Sequence, residues 1–246
     1  MEQTINIFKS HYSIGRSILT LEKKGSSKSD EPDSIIDLAI KNSIKDVVLV
    51  EDSMSGFLEA FTNCKDEGLK LIFGWRVTIT NKISEKSEGS LETNHKVIIM
   101  IKDDVGYETL VKFYTIAHDP DNFYYEPRLD CSTLSSLWND HLLLCIPFYD
   151  SFLFQNTLRF NNCVPDIGFT KPVFFIEDNG LPFDPIICQK VEEYTKGRFT
   201  TQKVKSVYYA KKSDFKAYLT FKCIHDRSTL NKPEMEHMTS DRFCLE

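Results

Sequence analysis

Short apolar runs separated by amphipathic stretches set the pattern of this chain. Ile5–Phe8, Val47–Val50, Leu69–Phe73 running into Val77–Ile79, Val97–Ile101, Leu142–Ile146 and Val173–Ile176 are β-branched or aromatic runs. Each has the length of a buried parallel strand. Between them, apolar residues recur at helical spacing. Asp33-Ser34 is placed to cap a helix carrying Ile35, Ile36, Ala39 and Ile40. Ser55 is placed to cap a second, with Phe57, Ala60, Phe61 and Cys64 on one face and Gly68 as its stop. Further helices are predicted from Tyr107 through Leu110, Val111 and Tyr114 to Ala117, over Asp184–Tyr194 and over Asp214–Ile224. Alternating β and α elements call for a parallel sheet with helices outside, open or closed into a barrel. Periodicity alone does not choose between those two.

Two polar segments interrupt this alternation. Residues 22–32 (EKKGSSKSDEP) and 81–95 (NKISEKSEGSLETNH) are rich in Ser, Lys and Glu and lack apolar periodicity. Both are expected to be exposed, mobile loop insertions. Neither is long enough to divide the chain and no internal repeat is evident, so one domain over residues 1–246 is expected.

Composition narrows the classes of function. A chain of 246 residues, 41% hydrophobic and with 18 Phe, is long enough and apolar enough for one substantial core. Its formal charge of -6 argues against a generally basic nucleic-acid surface, leaving room only for a local patch. No apolar run approaches the roughly 20 residues of a membrane span. The opening MEQTINIFKSHYS lacks the basic-then-apolar order of a secretory signal. Seven cysteines without a CxxC pair read as reduced thiols. The expected compartment is the cytoplasm, or a host cytoplasm if the source is a phage.

Order and spacing of particular segments add a resemblance. INIFKSHYSIGRSIL, DVVLVEDSMSGFLEAF, GLKLIFGWRV, KVIIMIKDDVGYETLVKFYTIA, FYYEPRLD, VKSVYYAKKSDFKAYL and TSDRFCLE follow one another from Ile5 to Glu246. Together they resemble the PHP domain (polymerase and histidinol phosphatase) at the front of bacterial DNA polymerase III alpha subunits. The resemblance implies an α/β fold, a distorted seven-stranded β/α barrel. It also implies a cluster of metal ions held by His, Asp, Glu and Cys at the C-terminal ends of the strands.

The matching positions of this chain are changed. The opening His-x-His falls on Ile7 and Lys9, and His11 stands two residues late. Thr-Asp-His-Gly falls on Leu49-Val50-Glu51-Asp52, so its Asp becomes Val50 and its His becomes Glu51. Gly-Cys-Glu-Val reads Gly74-Trp75-Arg76-Val77, reversing a charge at Arg76. The family's Cys falls on Phe148, and the closing Asp-Val-His-Tyr reads Ser206-Val207-Tyr208-Tyr209. Adjacent metal ions repel one another unless anionic ligands compensate. No catalytic, cofactor or metal-ligating residue is therefore expected, and no cofactor. Lys9 and Arg76 are expected to pair with Glu51 and Asp52 in a fixed charge cluster that stands in for the metal's structural role.

The remaining polar residues read more simply. His11 is a surface or capping residue, and His95, His118 and His141 lie in loops or at element ends with no spacing that links them. His225-Asp226 closes a predicted helix. Asp119, Asp121 and Glu126 form a solvated run without the Gly spacing of a calcium loop. Arg198, Lys203, Lys205, Lys211 and Lys212 make a dense basic stretch, read first as a solvated face and second as a contact for phosphates or an acidic partner.

The resemblance thus implies a catalytically inactive PHP-like module of a DNA replication assembly, working by protein binding. It is either a subunit of a split polymerase or a piece that captures a replisome component. The partner expected is a polymerase body or a proofreading exonuclease, with direct DNA contact weak and no membrane involved. The alternative is an enzyme: a divergent metal-dependent phosphoesterase or 3′–5′ exonuclease with a reduced site of Glu51, Asp52, His11 and His141.

Overall fold

A computed structural model describes residues 4–26, 31–230 and 239–246. The fold is α/β. Strand order in the sheet is β2-β1-β8-β7-β6-β4-β3-β5, and a further pairing of β2 with β3 closes seven of the eight strands into a distorted β/α barrel, leaving β5 on β3. The strands are β1 (Ile5–Phe8), β2 (Asp46–Glu51), β3 (Lys70–Thr80), β4 (His95–Ile101), β5 (Arg128–Asp130), β6 (Leu142–Ile146), β7 (Val173–Ile176) and β8 (Thr200–Val207). The helices are α1 (Ile35–Lys41), α2 (Phe57–Asp66), α3 (Glu88–Leu91), α4 (Asp104–His118), α5 (Cys131–Leu137), α6 (Phe152–Leu158), α7 (Asp184–Thr195) and α8 (Phe215–His225).

The described residues form two compact units. The first comprises those of Met1–Phe73, Glu177–Asp184 and Val204–Glu246, and the second Gly74–Ile176 and Pro185–Lys203. In the first unit β1 lies parallel to both neighbours, with Ile7 opposite Val48 and Ser206, and Phe8 opposite Leu49 and Val207. Phe8, Leu49 and Val207 are fully buried there, and Ile35, Ile36, Ala39, Ala60 and Cys64 of α1 and α2 are buried too. Ser34 caps α1 as its sequence implies, accepting from the Ile36 N–H. Ser55 does not cap α2. Its hydroxyl contacts that of Ser53, and Gly56 takes the N-cap position without a side-chain bond. Gly68 stops the segment after α2 at φ +67, a backbone region that glycine enters without strain.

The second unit departs from the all-parallel expectation. β7 runs parallel to both β6 and β8, but β4 runs antiparallel to both β3 and β6. Its connection from β3 carries only the single turn of α3, too little helix to cross back over the sheet, so the chain returns alongside itself. Leu69–Phe73 and Val77–Ile79, separate runs in the sequence, join in one eleven-residue strand. α4, capped by Asp103, buries Leu110, Phe113 and Ala117. Four aromatic rings of this unit cluster: Phe152, Phe174, Tyr194 and Phe199 meet edge-on, tilted or stacked with centroids 5.2–6.3 Å apart.

Of the two polar segments, residues 27–30 of the first lie outside the described residues. The second carries α3, whose Ser87 caps it through the Ser90 N–H. The buried Arg128 guanidinium holds this segment by donating to the Ile83 and Glu85 carbonyls, 3.3 and 3.1 Å away. No disulfide joins the seven cysteines. Among the described residues, no helix is long and apolar enough to cross a membrane.

Candidate functional site

In a β/α barrel, functional groups gather at the C-terminal ends of strands. In the first unit these ends belong to β1, β2 and β8, together with the segment after β7. β1 delivers Ile7, buried between β2 and β8, and then Lys9, only 5% exposed. The Lys9 ammonium donates to Asp52 Oδ1 at 3.0 Å. Glu51, at the end of β2, is fully buried. Its Oε1 accepts from the Ser10 N–H at 2.7 Å and its Oε2 from the Ser13 hydroxyl. That hydroxyl also accepts from the Asp52 N–H at 2.9 Å, so the turn after β1 is latched to the end of β2. Burial raises the Glu51 carboxyl pKa, while Lys9 and the Ser10 and Ser13 donors pull it back down.

A second buried carboxylate, Glu177, stands just past β7. Its Oε2 accepts from Asn179 Nδ2 at 2.9 Å and from the Ser206 N–H at 3.1 Å, and its Oε1 from the Ser206 hydroxyl at 3.0 Å. Burial pushes its pKa up to about 7, against those same donors. The sequence reading did not single out Glu177. The signal was a lone Glu at the end of an apolar strand, four residues ahead of the Leu181-to-Asp184 turn. Val50 is buried in the core, and Tyr208 stacks on Phe243 and Tyr218 at 5.1 and 5.9 Å.

In the second unit, Arg76 on β3 donates to Asp150 Oδ2 through Nη2. Asp150 follows β6 at φ +61, and its carbonyl accepts from the Lys96 N–H at 2.7 Å. The acceptor described for Arg76 is Asp150, a residue the sequence did not mark, and the oxygens of Glu51 take the Ser10 and Ser13 donors. Phe148 is fully buried, edge-on to Tyr149 at 5.0 Å.

The histidines are dispersed in role. His11 is exposed beside the Tyr12 ring, and His118 packs on Tyr114 at 4.0 Å. His95 is buried at the start of β4, where desolvation lowers its pKa to about 4. His141 Nδ1 meets Asp103 at 2.7 Å, a contact that holds the Asp103 carboxyl below the usual range. His225 Nδ1 lies 2.8 Å from Asp226. Glu126 pairs with Lys96 of β4 at 2.5 Å, and the Asp119 carboxylate accepts from the Asp121 N–H within the loop. Of the basic stretch, Arg198 binds the Tyr194 carbonyl and covers its ring, and Lys205 reaches the Glu246 carbonyl.

This donor set does not fit a metal cluster. Two of the eight positions carry cations, Lys9 and Arg76, each on a carboxylate. Three more, Ile7, Val50 and Phe148, are buried apolar side chains. The oxygens of Glu51 and Glu177 already accept N–H and O–H donors. Among the described residues, no group of three or more His, Cys, Asp or Glu side chains is placed to hold an ion.

The architecture is that of a distorted, mixed β/α barrel with cations and apolar side chains at several of its strand ends. The chain belongs to the PHP domain family, which it matches over residues 26–157. It is similar to DNA polymerase III subunit alpha of Thermus aquaticus, 25% identical over 210 residues that make up 78% of this chain and 17% of that protein. The corresponding subunit of Borreliella burgdorferi is 23% identical over 174 residues, 66% of this chain and 15% of the relative. That of Aquifex aeolicus is 32% identical over 89 residues, 33% of this chain and 8% of the relative. The chain thus spans less than a fifth of these relatives' length.

Proposed function

We propose that this chain is a catalytically inactive PHP-like module of a DNA replication assembly, acting in the cytoplasm by protein binding. One observation carries the loss of chemistry: Lys9 and Arg76 place ion-paired cations at two of the positions where the family resemblance calls for ligands. A cation fixed there opposes a second positive charge. The assembly context rests on the similarity to alpha subunits of DNA polymerase III. The partner is a polymerase body, which this module would complete, or a proofreading exonuclease, which it would capture.

The competing phosphoesterase or exonuclease reading needs Glu51, Asp52, His11 and His141 as a reduced site. Glu51 and Asp52 are engaged by Ser10, Ser13 and Lys9, and His141 by Asp103. The deciding experiment is affinity capture of the tagged chain from its native cells, followed by mass spectrometry. Recovery of a polymerase palm-and-fingers chain or a proofreading exonuclease is expected. Recovery of neither, together with manganese- or zinc-dependent hydrolysis of single-stranded DNA by the purified protein, overturns the proposal.

A further inference from the structure

The first unit sets a nearly buried cation beside two consecutive carboxylates. Glu51 is fully buried, and Asp52 follows it directly at the end of β2. The buried Glu51 carboxylate loses hydration and is repelled by the partly exposed Asp52 beside it, so a nearby cation favours both charges. The cation described beside them is the Lys9 ammonium, itself 5% exposed, 3.0 Å from Asp52 and electrostatically coupled to Glu51.

Local structure fixes this ammonium in place. The Lys9 N–H reaches the Val207 carbonyl at 3.4 Å, which extends the β1–β8 ladder by one residue. Immediately afterwards the chain turns, with the Ser13 N–H on the Ser10 carbonyl, and the turn clasps Glu51 through Ser10 and Ser13. Lys9 is therefore held from both sides, by a strand before it and a latched turn after it. Its ammonium is delivered to Asp52, next along the chain from Glu51, by the same backbone that fixes Glu51.

We propose that the Lys9 ammonium is a tethered counter-cation for Glu51 and Asp52, serving the structural part that a bound divalent ion would otherwise serve, so that this unit folds without metal. A tethered ammonium does not dissociate, and chelators do not remove it. This counter-charge role is independent of the identity of any binding partner.

Two arms test it on the full chain. In the first, the melting temperature of the metal-stripped protein is compared in EDTA, manganese and zinc. A change within about 1 °C is expected. A fall of several degrees in EDTA, or a rise of several degrees with either ion, overturns the proposal. In the second, Lys9→Met, Glu51→Gln and the double variant form a thermodynamic cycle. Lys9→Met removes the cation beside a buried carboxylate and a partly exposed one, so it is expected to lower the melting temperature by several degrees. In the Glu51→Gln background the same substitution is expected to cost less than half as much. Equal losses in both backgrounds overturn the proposal, because Lys9 then contributes packing rather than charge. If Lys9→Met does not fold while the double variant does, the coupling is upheld. If neither folds, the counter-charge role is rejected.

Discussion

Glu177 shows how burial sets the behaviour of a single side chain. Its three described acceptor contacts come from Asn179 and Ser206, and burial raises its pKa from 4.5 to about 7. Below pH 4.5 the carboxyl is neutral in both the folded and unfolded chain and imposes no penalty. Between 4.5 and about 7 the unfolded chain is ionised while the fold retains the proton, so stability falls as pH rises through that window. Above it the fold bears a buried charge, a cost of about 3 kcal/mol. Glu177→Gln keeps an acceptor for the Ser206 N–H and removes the charge. The variant should match its parent near pH 4.5 and exceed it progressively towards pH 8, as read from urea midpoints. A constant difference across that range would show that Glu177 does not titrate there. The sequence offers little warning of this residue, because a single Glu after an apolar strand looks like the start of a solvated loop. Lys9 and Arg76 were legible, since a cation replacing a ligand stands out in any register. Asp150 was not, because its pairing depends on a turn at positive φ that no residue pattern announces.

Elements respond to substitution according to what lies within reach of their backbone. Gly106 is in the first turn of α4, where an added Cβ would lie 2.3 Å from the His141 carbonyl oxygen. Backbone does not give way as a flexible side chain does, so Gly106→Ala should cost about 1–3 kcal/mol. Gly89 in α3 is the control: it is exposed, and the nearest atom to an added Cβ is Ser87 Oγ at 3.9 Å. Gly89→Ala should leave stability unchanged or raise it by up to about 1 kcal/mol. Chemical denaturation of both variants checks the contrast, and similar losses at the two sites would refute it. At α1, the fully buried Ser34 accepts from the Ile36 N–H and donates to the Glu22 carbonyl at 2.7 Å. Ser34→Ala should therefore lower stability by about 1–2 kcal/mol. The same logic explains which elements the sequence disclosed. The apolar runs of β1, β2, β6 and β7 and the capped helix α1 were plain from pattern alone. β8 was missed because TTQKVKSV alternates polar residues through a partly exposed strand and reads as part of a basic stretch. β5 was missed because Arg128 and Asp130, buried on either side of Leu129, are types that rarely signal a strand interior.

For the molecule as a whole, a binding function requires surface features that the isolated fold does not need. Phe160 is the strongest of these among the described residues: it is 91% exposed and sits at φ +56, a conformation that favours Gly or Asn. The loop that presents it is firmly built. Asn156 exchanges two hydrogen bonds with the Cys163 backbone, and Asn81 bonds the Asn162 carbonyl and the Val164 N–H. Val164 on the same loop is 69% exposed. An aromatic side chain held out on a fixed loop contributes nothing to the core and costs backbone strain, yet it is the kind of group that anchors a protein interface. Phe160→Asn should therefore leave the melting temperature unchanged or raise it, by about 1 kcal/mol in stability, because strain is relieved and no packing is lost. In affinity capture the same variant should recover several-fold less of the partner that the parent chain recovers. A drop in both stability and capture would mean that Phe160 packs within its own unit. Full capture with unchanged stability would exclude Phe160 as an anchor and make Leu58 and Phe61 of α2, 72% and 46% exposed, the next residues to substitute.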